Sequence, residues 1–246
     1  MKMKSSQLLY CIAILNLIGL YSCAPAYVPN VINAPLIKSP HEVNLGGHGG
    51  TNGWDAQLSA SVVRHVAVML NYSYSNRNKT GADSSGFHKH QFTEGGIGYY
   101  SAPEDKHFTF EIFGGYGSGN SAAKAASGGL NVSKGDVVAG DYYRYFIQAD
   151  FGHRSEFLEL GFAFRTSYVN FTDYSNSSKN ITYHSLDDVY LEPTAFVRAG
   201  SKYVKGSFQL GLSLRGDGLS QTSPKFLSNP FYCSVGIYVT LNRHWK

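Results

Sequence analysis

Apolar and polar residues alternate one by one over long stretches of the chain, which is the two-residue period of a β-strand. Tyr143, Tyr145, Ile147, Ala149 and Phe151 share one face, while Arg144, Gln148 and Asp150 take the other with Phe146 among them. The same rhythm sets Leu158, Leu160, Phe162 and Phe164 against Glu159, Gly161, Ala163 and Arg165. It recurs with Val189, Leu191, Pro193, Ala195 and Val197 against Tyr190, Glu192, Thr194 and Arg198. Phe208, Leu210, Leu212 and Leu214 then oppose Ser207, Gln209, Gly211, Ser213 and Arg215. Last, Phe231, Cys233, Val235, Ile237, Val239 and Leu241 oppose Tyr232, Ser234, Gly236, Tyr238 and Thr240.

The apolar faces of these five segments carry no charge, and each segment is long enough to cross a bilayer at a tilt. The opposite faces hold many Gly, Ser and Thr and few Lys, which suits a crowded lumen better than a watered sandwich face. The expected fold is therefore all-β: an antiparallel up-and-down transmembrane β-barrel. A periplasmic sandwich or lipocalin-like barrel is the competing architecture. Candidate strands are Glu42–Gly49, Trp54–Val62, Val66–Asn76, Gln91–Ser101, Phe108–Ser118, Asp141–Gly152, Glu156–Val169, Asp188–Ala199, Lys205–Arg215 and Pro230–Asn242. They make about ten strands, or eight if the weakly patterned first two are discounted. Connections alternate short and long, as periplasmic turns and extracellular loops do in such barrels, and this predicts periplasmic termini. Trp54, Tyr74, Tyr116, Tyr143, Tyr168 and Phe231 fall near the outer ends of the apolar rows, where an aromatic girdle is expected.

By parity the lumen receives Glu42, Asp55, Glu94, Glu111, Asp150, Glu159 and Glu192 together with Arg144, Arg165, Arg198 and Arg215. Both signs occur, so a structural charge network is expected among Glu111, Arg144, Asp150, Glu159, Arg165, Glu192, Arg198 and Arg215. Phe113, Phe146, Tyr190, Phe196, Tyr232 and Tyr238 also point inward, so the axis is expected to be blocked.

The N-terminal end reads differently. Lys2 and Lys4 precede an apolar run from Leu8 to Leu20, the pattern of a secretory signal. The run ends in Leu20-Tyr21-Ser22-Cys23, which resembles the lipobox of bacterial lipoproteins. That resemblance implies cleavage after residue 22, a thioether lipid on Cys23 and, with no Asp after the Cys, sorting to the outer membrane. Residues 1–22 are then the signal peptide, 23–41 a lipidated Pro-rich tether with Pro25, Pro29, Pro35 and Pro40, and 42–246 the barrel. An extended spacer along the periplasmic rim is expected of the tether. Tyr27-Val28-Pro29-Asn30 through Asn33-Ala34-Pro35-Leu36, followed by Glu42-Val43-Asn44-Leu45, resembles the start of small lipid-anchored outer-membrane β-barrel proteins of Bacteroidetes-type bacteria. The likeness reaches to roughly Tyr74, implies the compartment and the barrel, and brings no site residues.

The formal charge of +4 falls when Lys2 and Lys4 leave, so nucleic acid is not an expected partner. Of three cysteines, Cys11 leaves with the signal and Cys23 takes lipid, so Cys233 has no partner for a disulfide. Chemistry is sparse. His184, Asp187, Asp188 and Asp217 could form a rim protease site if they converged. His88, His90 and His184 are the nearest approach to a metal set, and solvated loop histidines are the simpler reading. The lipid-facing rows of the second half lack the Ser–His unit of a barrel acyl-transfer enzyme. No metal and no cofactor beyond the covalent lipid is expected. The expected protein is a non-catalytic outer-membrane barrel lipoprotein, structural or an accessory subunit of a secretion or barrel-assembly type machinery. Its expected partners are outer-membrane lipid, lipopolysaccharide and other envelope proteins. A small-solute pore is the alternative, and a rim protease is a more distant one.

Overall fold

The computed structural model describes residues 25–81, 84–101, 107–124, 135–177, 180–216 and 228–242. The signal segment, Cys23 and Asp217 lie outside the described residues. Twelve strands follow in order: β1 (Glu42–Gly50), β2 (Trp54–Val63), β3 (Val66–Gly81), β4 (Ser84–Ser101), β5 (Phe108–Lys124), β6 (Val137–Arg154), β7 (Leu158–Asn176), β8 (Ile181–Tyr183), β9 (Leu186–Gly200), β10 (Val204–Leu212), β11 (Leu214–Arg215) and β12 (Phe231–Asn242).

All pairings among these strands are antiparallel, and each long strand pairs with the next along the chain. The ring closes where β1 meets β12, from Glu42 opposite Asn242 to Gly50 opposite Ser234. Ten strands thus form a barrel with no open edge, which is how a sheet can sit in lipid with every backbone group paired. The two short strands are extensions: β11 resumes β10 beyond Ser213 and pairs with β9, and β8 lies along the far end of β7. The expected ten strands are all present, β1 and β2 included.

The pleat sorts the side chains as the alternation predicts. Ile147, Ile97, Val235 and Ile237 stand on the outer wall with 60–68% of their surface exposed, although they are among the most apolar residues in the chain. An apolar belt of this kind belongs against hydrocarbon rather than water. Trp54 and Tyr74 face each other across β2 and β3, and Tyr116, Tyr145 and Tyr168 follow one another across β5, β6 and β7. Trp54, Tyr74, Tyr116 and Tyr168 of the expected girdle thus stand in two aromatic rows at the rim of the outer wall.

Two expectations need correction. Arg77 to His90 is not a loop: β3 and β4 continue as a paired ribbon to Gly81 and Ser84. The connections after β5 and β7 likewise begin and end as strand. Outside lipid the strands no longer need an apolar face, so the alternation fades while the ladder goes on.

The second correction concerns residues 24–40. Instead of following the rim, residues 26–37 are buried from end to end inside the barrel. Lys38 and Glu42 lie at the mouth formed by the short turns, beside Arg154 at the end of β6. Tyr27 lies at the opposite mouth, where its carbonyl accepts from the N–H of Asn229 just before β12. The two ends of the described chain therefore leave by opposite mouths, and they do not share one side as expected.

Candidate functional site: the threaded lumen

The threaded segment, here the strap, carries no charge between Pro25 and Ile37. Burying it therefore costs no ion desolvation, only the matching of its peptide groups. Pro29 and Pro35 lower that demand because they have no N–H to satisfy. An extended chain rises about 3.1 Å per residue, so the twelve steps from Ala26 to Lys38 cover roughly 37 Å. That exceeds an apolar belt about 25 Å tall.

The barrel wall meets the strap group by group. Its carbonyls accept from side chains on the wall: Ala26 from Ser121, Pro29 from Asn52, Val31 from Gln57 and Asn33 from Gln148. Farther along, Ala34 accepts from Arg198, Pro35 from the Tyr238 hydroxyl and Leu36 from Arg154. The N–H groups go to carboxylates. Val31 donates to Asp55 at 3.2 Å, and Leu36 and Ile37 donate to the two oxygens of Glu111 at 2.9 and 2.6 Å. Leu36 has a positive φ of 51°, which turns consecutive N–H groups toward one side and makes a small anion-binding nest for Glu111. Three side chains spaced three apart also reach the wall: Tyr27 to Glu192 at 2.8 Å, Asn30 to Glu94 at 3.1 Å and Asn33 to Asn71 at 2.8 Å.

Apolar contacts fill what remains. Ile32, Ala34 and Leu36 pack with Ala163 and Phe196, and Ile37 packs with Met69, Tyr100, Phe113 and Phe146. At the far mouth Tyr27 stacks near Tyr190 and meets the Tyr142 edge. Gly152 makes the strap's passage possible, since a Cβ there would stand 2.7 Å from Leu36 Cδ1.

The charged residues expected in the lumen are all inward, and most are organised around the strap. Arg144 pairs with Glu94 and also donates to the Tyr27 hydroxyl and to Asn30. Arg165 shares Glu94 at 3.1 Å and donates to Gln148. Glu159 gathers Arg198, Arg154 and Lys205 at 3.0 to 3.2 Å. Arg215 pairs with Asp188 near the long-connection mouth. Glu111 and Asp150 sit opposite each other on β5 and β6, and their bonds go to the strap and to Gln148. Glu192 accepts from Tyr27 and Ser167. Stacked rings add to the guanidinium partners: Arg144 lies over Phe92 and Arg198 over Tyr238. The expected network lacked Glu42, Glu94, Arg154 and Lys205, which the strand parity places inward as well.

At the short-turn mouth a cleft of about 420 Å³ is lined by Lys38, Glu42, His107, Arg154, Lys202 and Lys205 among others. Arg154 and Lys205 there are already committed to Glu42 and Glu159. Burial and then the neighbouring guanidinium of Arg154 hold the Lys38 ammonium below its ordinary pKa.

Among the described residues, those considered for catalysis and metal binding are not brought together. His184 is exposed and meets Asp173 at 3.1 Å. Asp187 and Asp188 are adjacent in β9 and so take opposite faces, Asp188 inward to Arg215. His90 is buried against Ser73, with the His88 ring 5.2 Å away, and His184 stands apart from both on the turn that follows β8. No group of three His, Cys, Asp or Glu side chains able to hold a metal occurs among the described residues.

The fold and its lumen define a closed ten-stranded transmembrane barrel of the outer-membrane type. No protein-family model matches the chain, and the search of curated proteins gives no match. Among solved structures it is similar to the translocator domain of the autotransporter NalP from Neisseria meningitidis, at 10% identity and a TM-score of 0.48, covering 82% of this chain and 87% of that one. It is also similar to CarO2 of Acinetobacter baumannii, at 9% identity and a TM-score of 0.32, covering 83% of this chain and all of that one.

Proposed function

We propose that this protein is a non-catalytic, lipid-anchored barrel of a bacterial outer membrane, closed by its own N-terminal strap, and that it serves as a structural or accessory subunit of an outer-membrane assembly. The observation that carries this reading is the burial of residues 26–37 along the whole lumen, with the barrel supplying donors to seven of their carbonyls and carboxylates to three of their N–H groups. A barrel filled in this way favours a closed scaffold over a small-solute pore. The dispersed acids and histidines favour no hydrolytic role. The paired ribbons of β3–β4 and β5–β6 continue beyond the aromatic rim and offer surface to a partner. Short turns on one side and long connections on the other support an orientation with the short turns in the periplasm. The lipobox supports a thioether lipid on Cys23 as the one covalent addition, and the resemblance over residues 27–74 supports a Bacteroidetes-type source.

Planar-bilayer recording tests the closed state. The intact protein is expected to give no stepwise conductance, and a variant lacking residues 25–37 is expected to conduct. Regular steps from the intact protein would overturn the reading. Metabolic labelling with palmitate, lost in Cys23→Ser, tests the lipid. Recovery of the barrel alone from gently solubilised membranes would overturn the subunit role.

A further inference from the structure

The strap has a direction. Its C-terminal end is fixed at the short-turn mouth, where Lys38 Nζ donates to the Arg154 carbonyl at 2.7 Å and the chain turns into β1. Its N-terminal end is fixed at the other mouth: Ser121, three residues from the end of β5, donates to the Ala26 carbonyl, and Asn229 donates to that of Tyr27. We propose that the chain leaves the lumen toward the cell surface, so that Cys23 and its lipid lie at the outer leaflet while β12 ends at the periplasmic side. The proposal rests on the barrel orientation and on the lipidation given above.

Reach makes the conclusion firm once the orientation holds. Three Cα steps separate Cys23 from Ala26, and a chain spans at most about 3.6 Å per residue, so Cys23 stays within roughly 11 Å of the strap's outer end. The periplasmic mouth lies roughly 37 Å away along the strap. The lumen also has no room for the chain to double back, since Phe113, Phe146, Tyr190, Phe196, Tyr232 and Tyr238 fill it beside the strap, each with 5% or less of its surface exposed. The absence of charge from Pro25 to Ile37 matters here as well: the segment nearest the lipid is one that can lie within a barrel without carrying an ion across. The barrel then acts as a conduit for its own anchor.

The test places a specific protease site followed by an epitope between Cys23 and Ala24 of the full-length chain. Parallel versions carry the epitope alone after Ser185, on a long connection, or after Lys202, on a short turn. On intact cells the N-terminal and Ser185 epitopes are expected to bind antibody, and the Lys202 epitope only after permeabilisation. Protease added to intact cells is expected to remove essentially all palmitate label from the barrel band. A hidden N-terminal epitope together with an accessible Ser185 epitope would overturn the proposal while leaving the orientation standing. An accessible Lys202 epitope with a hidden Ser185 epitope would overturn the orientation, and the surface position with it. Loss of the palmitate label alone, with both epitopes as expected, would remove the lipid and keep the surface-exposed N-terminus.

Discussion

The hydroxyl of Tyr27 donates to the carboxylate of Glu192 at 2.8 Å, and the same oxygen accepts from Arg144 at 2.7 Å. One phenol thus ties the strap to β9 and β6 at the long-connection mouth. Tyr27→Phe keeps the ring stack on Tyr190 but leaves Glu192 and Arg144 each short of a buried partner. Such a loss costs about 1–3 kcal/mol. The expected outcome is a lower unfolding midpoint in detergent with the barrel still assembled, and heat-modifiable gel migration checks both.

At the other end of the strap, Glu111 holds the N–H groups of Leu36 and Ile37. Glu111→Ala removes the acceptor of two buried donors, each worth about 1–3 kcal/mol when orphaned. Glu111→Gln keeps one acceptor oxygen and is expected to lose less. Urea midpoints of the two variants in lipid vesicles give the order: Ala well below Gln, and Gln below the parent. Equal midpoints would mean that the nest contributes nothing.

Gly152 tests the strap by bulk. A side chain there meets Leu36 Cδ1 at 2.7 Å and the Leu160 carbonyl at 2.6 Å. Overpacking of this kind costs about 1–3 kcal/mol. Gly152→Val is expected to displace the strap rather than β6, because the strap is held by single bonds and β6 by two ladders. The readout is channel noise in bilayer recordings that the parent protein does not show.

The outer wall is tested at Ile147, a residue 68% exposed that lies within the apolar belt. Ile147→Lys places a charge against lipid at a cost of about 2–4 kcal/mol near mid-membrane. The expected result is a lower urea midpoint in vesicles. The same substitution in a soluble barrel would be close to neutral, so an unchanged midpoint would contradict a transmembrane wall.

Much of this architecture is legible from the spacing of side chains. The sorting of Arg144, Gln148 and Asp150 inward and Tyr145 and Ile147 outward needs only the pleat, and lipid on one side makes the pattern unusually clean. The same rule placed Arg165, Glu159 and Arg198 in the lumen. The strap was not legible in that way. Residues 25–37 have neither period, and three prolines suggest a solvated spacer when read alone. What sends the segment inside is complementarity: its carbonyls match donors such as Gln57, Gln148 and Tyr238 that are scattered over the remaining chain. The spacing of Tyr27, Asn30 and Asn33, one face of a threefold extended chain, is the local trace of that fit. The absence of charge from Pro25 to Ile37 is the other. The ribbons beyond the rim were hidden for a different reason, since a strand in water keeps its hydrogen bonds without keeping an apolar face.

The central claim is that the N-terminal segment threads the lumen, and cross-linking from position 27 tests it most directly. The Tyr27 ring lies 4.8 Å from that of Tyr190 and 6.0 Å from that of Tyr142. With a photo-reactive azido-phenylalanine at position 27, irradiation of intact cells is expected to join the strap to peptides of β9 or β6 within the same chain. Cross-links from position 27 to short-turn peptides, or to other proteins with none to β9 or β6, would contradict it.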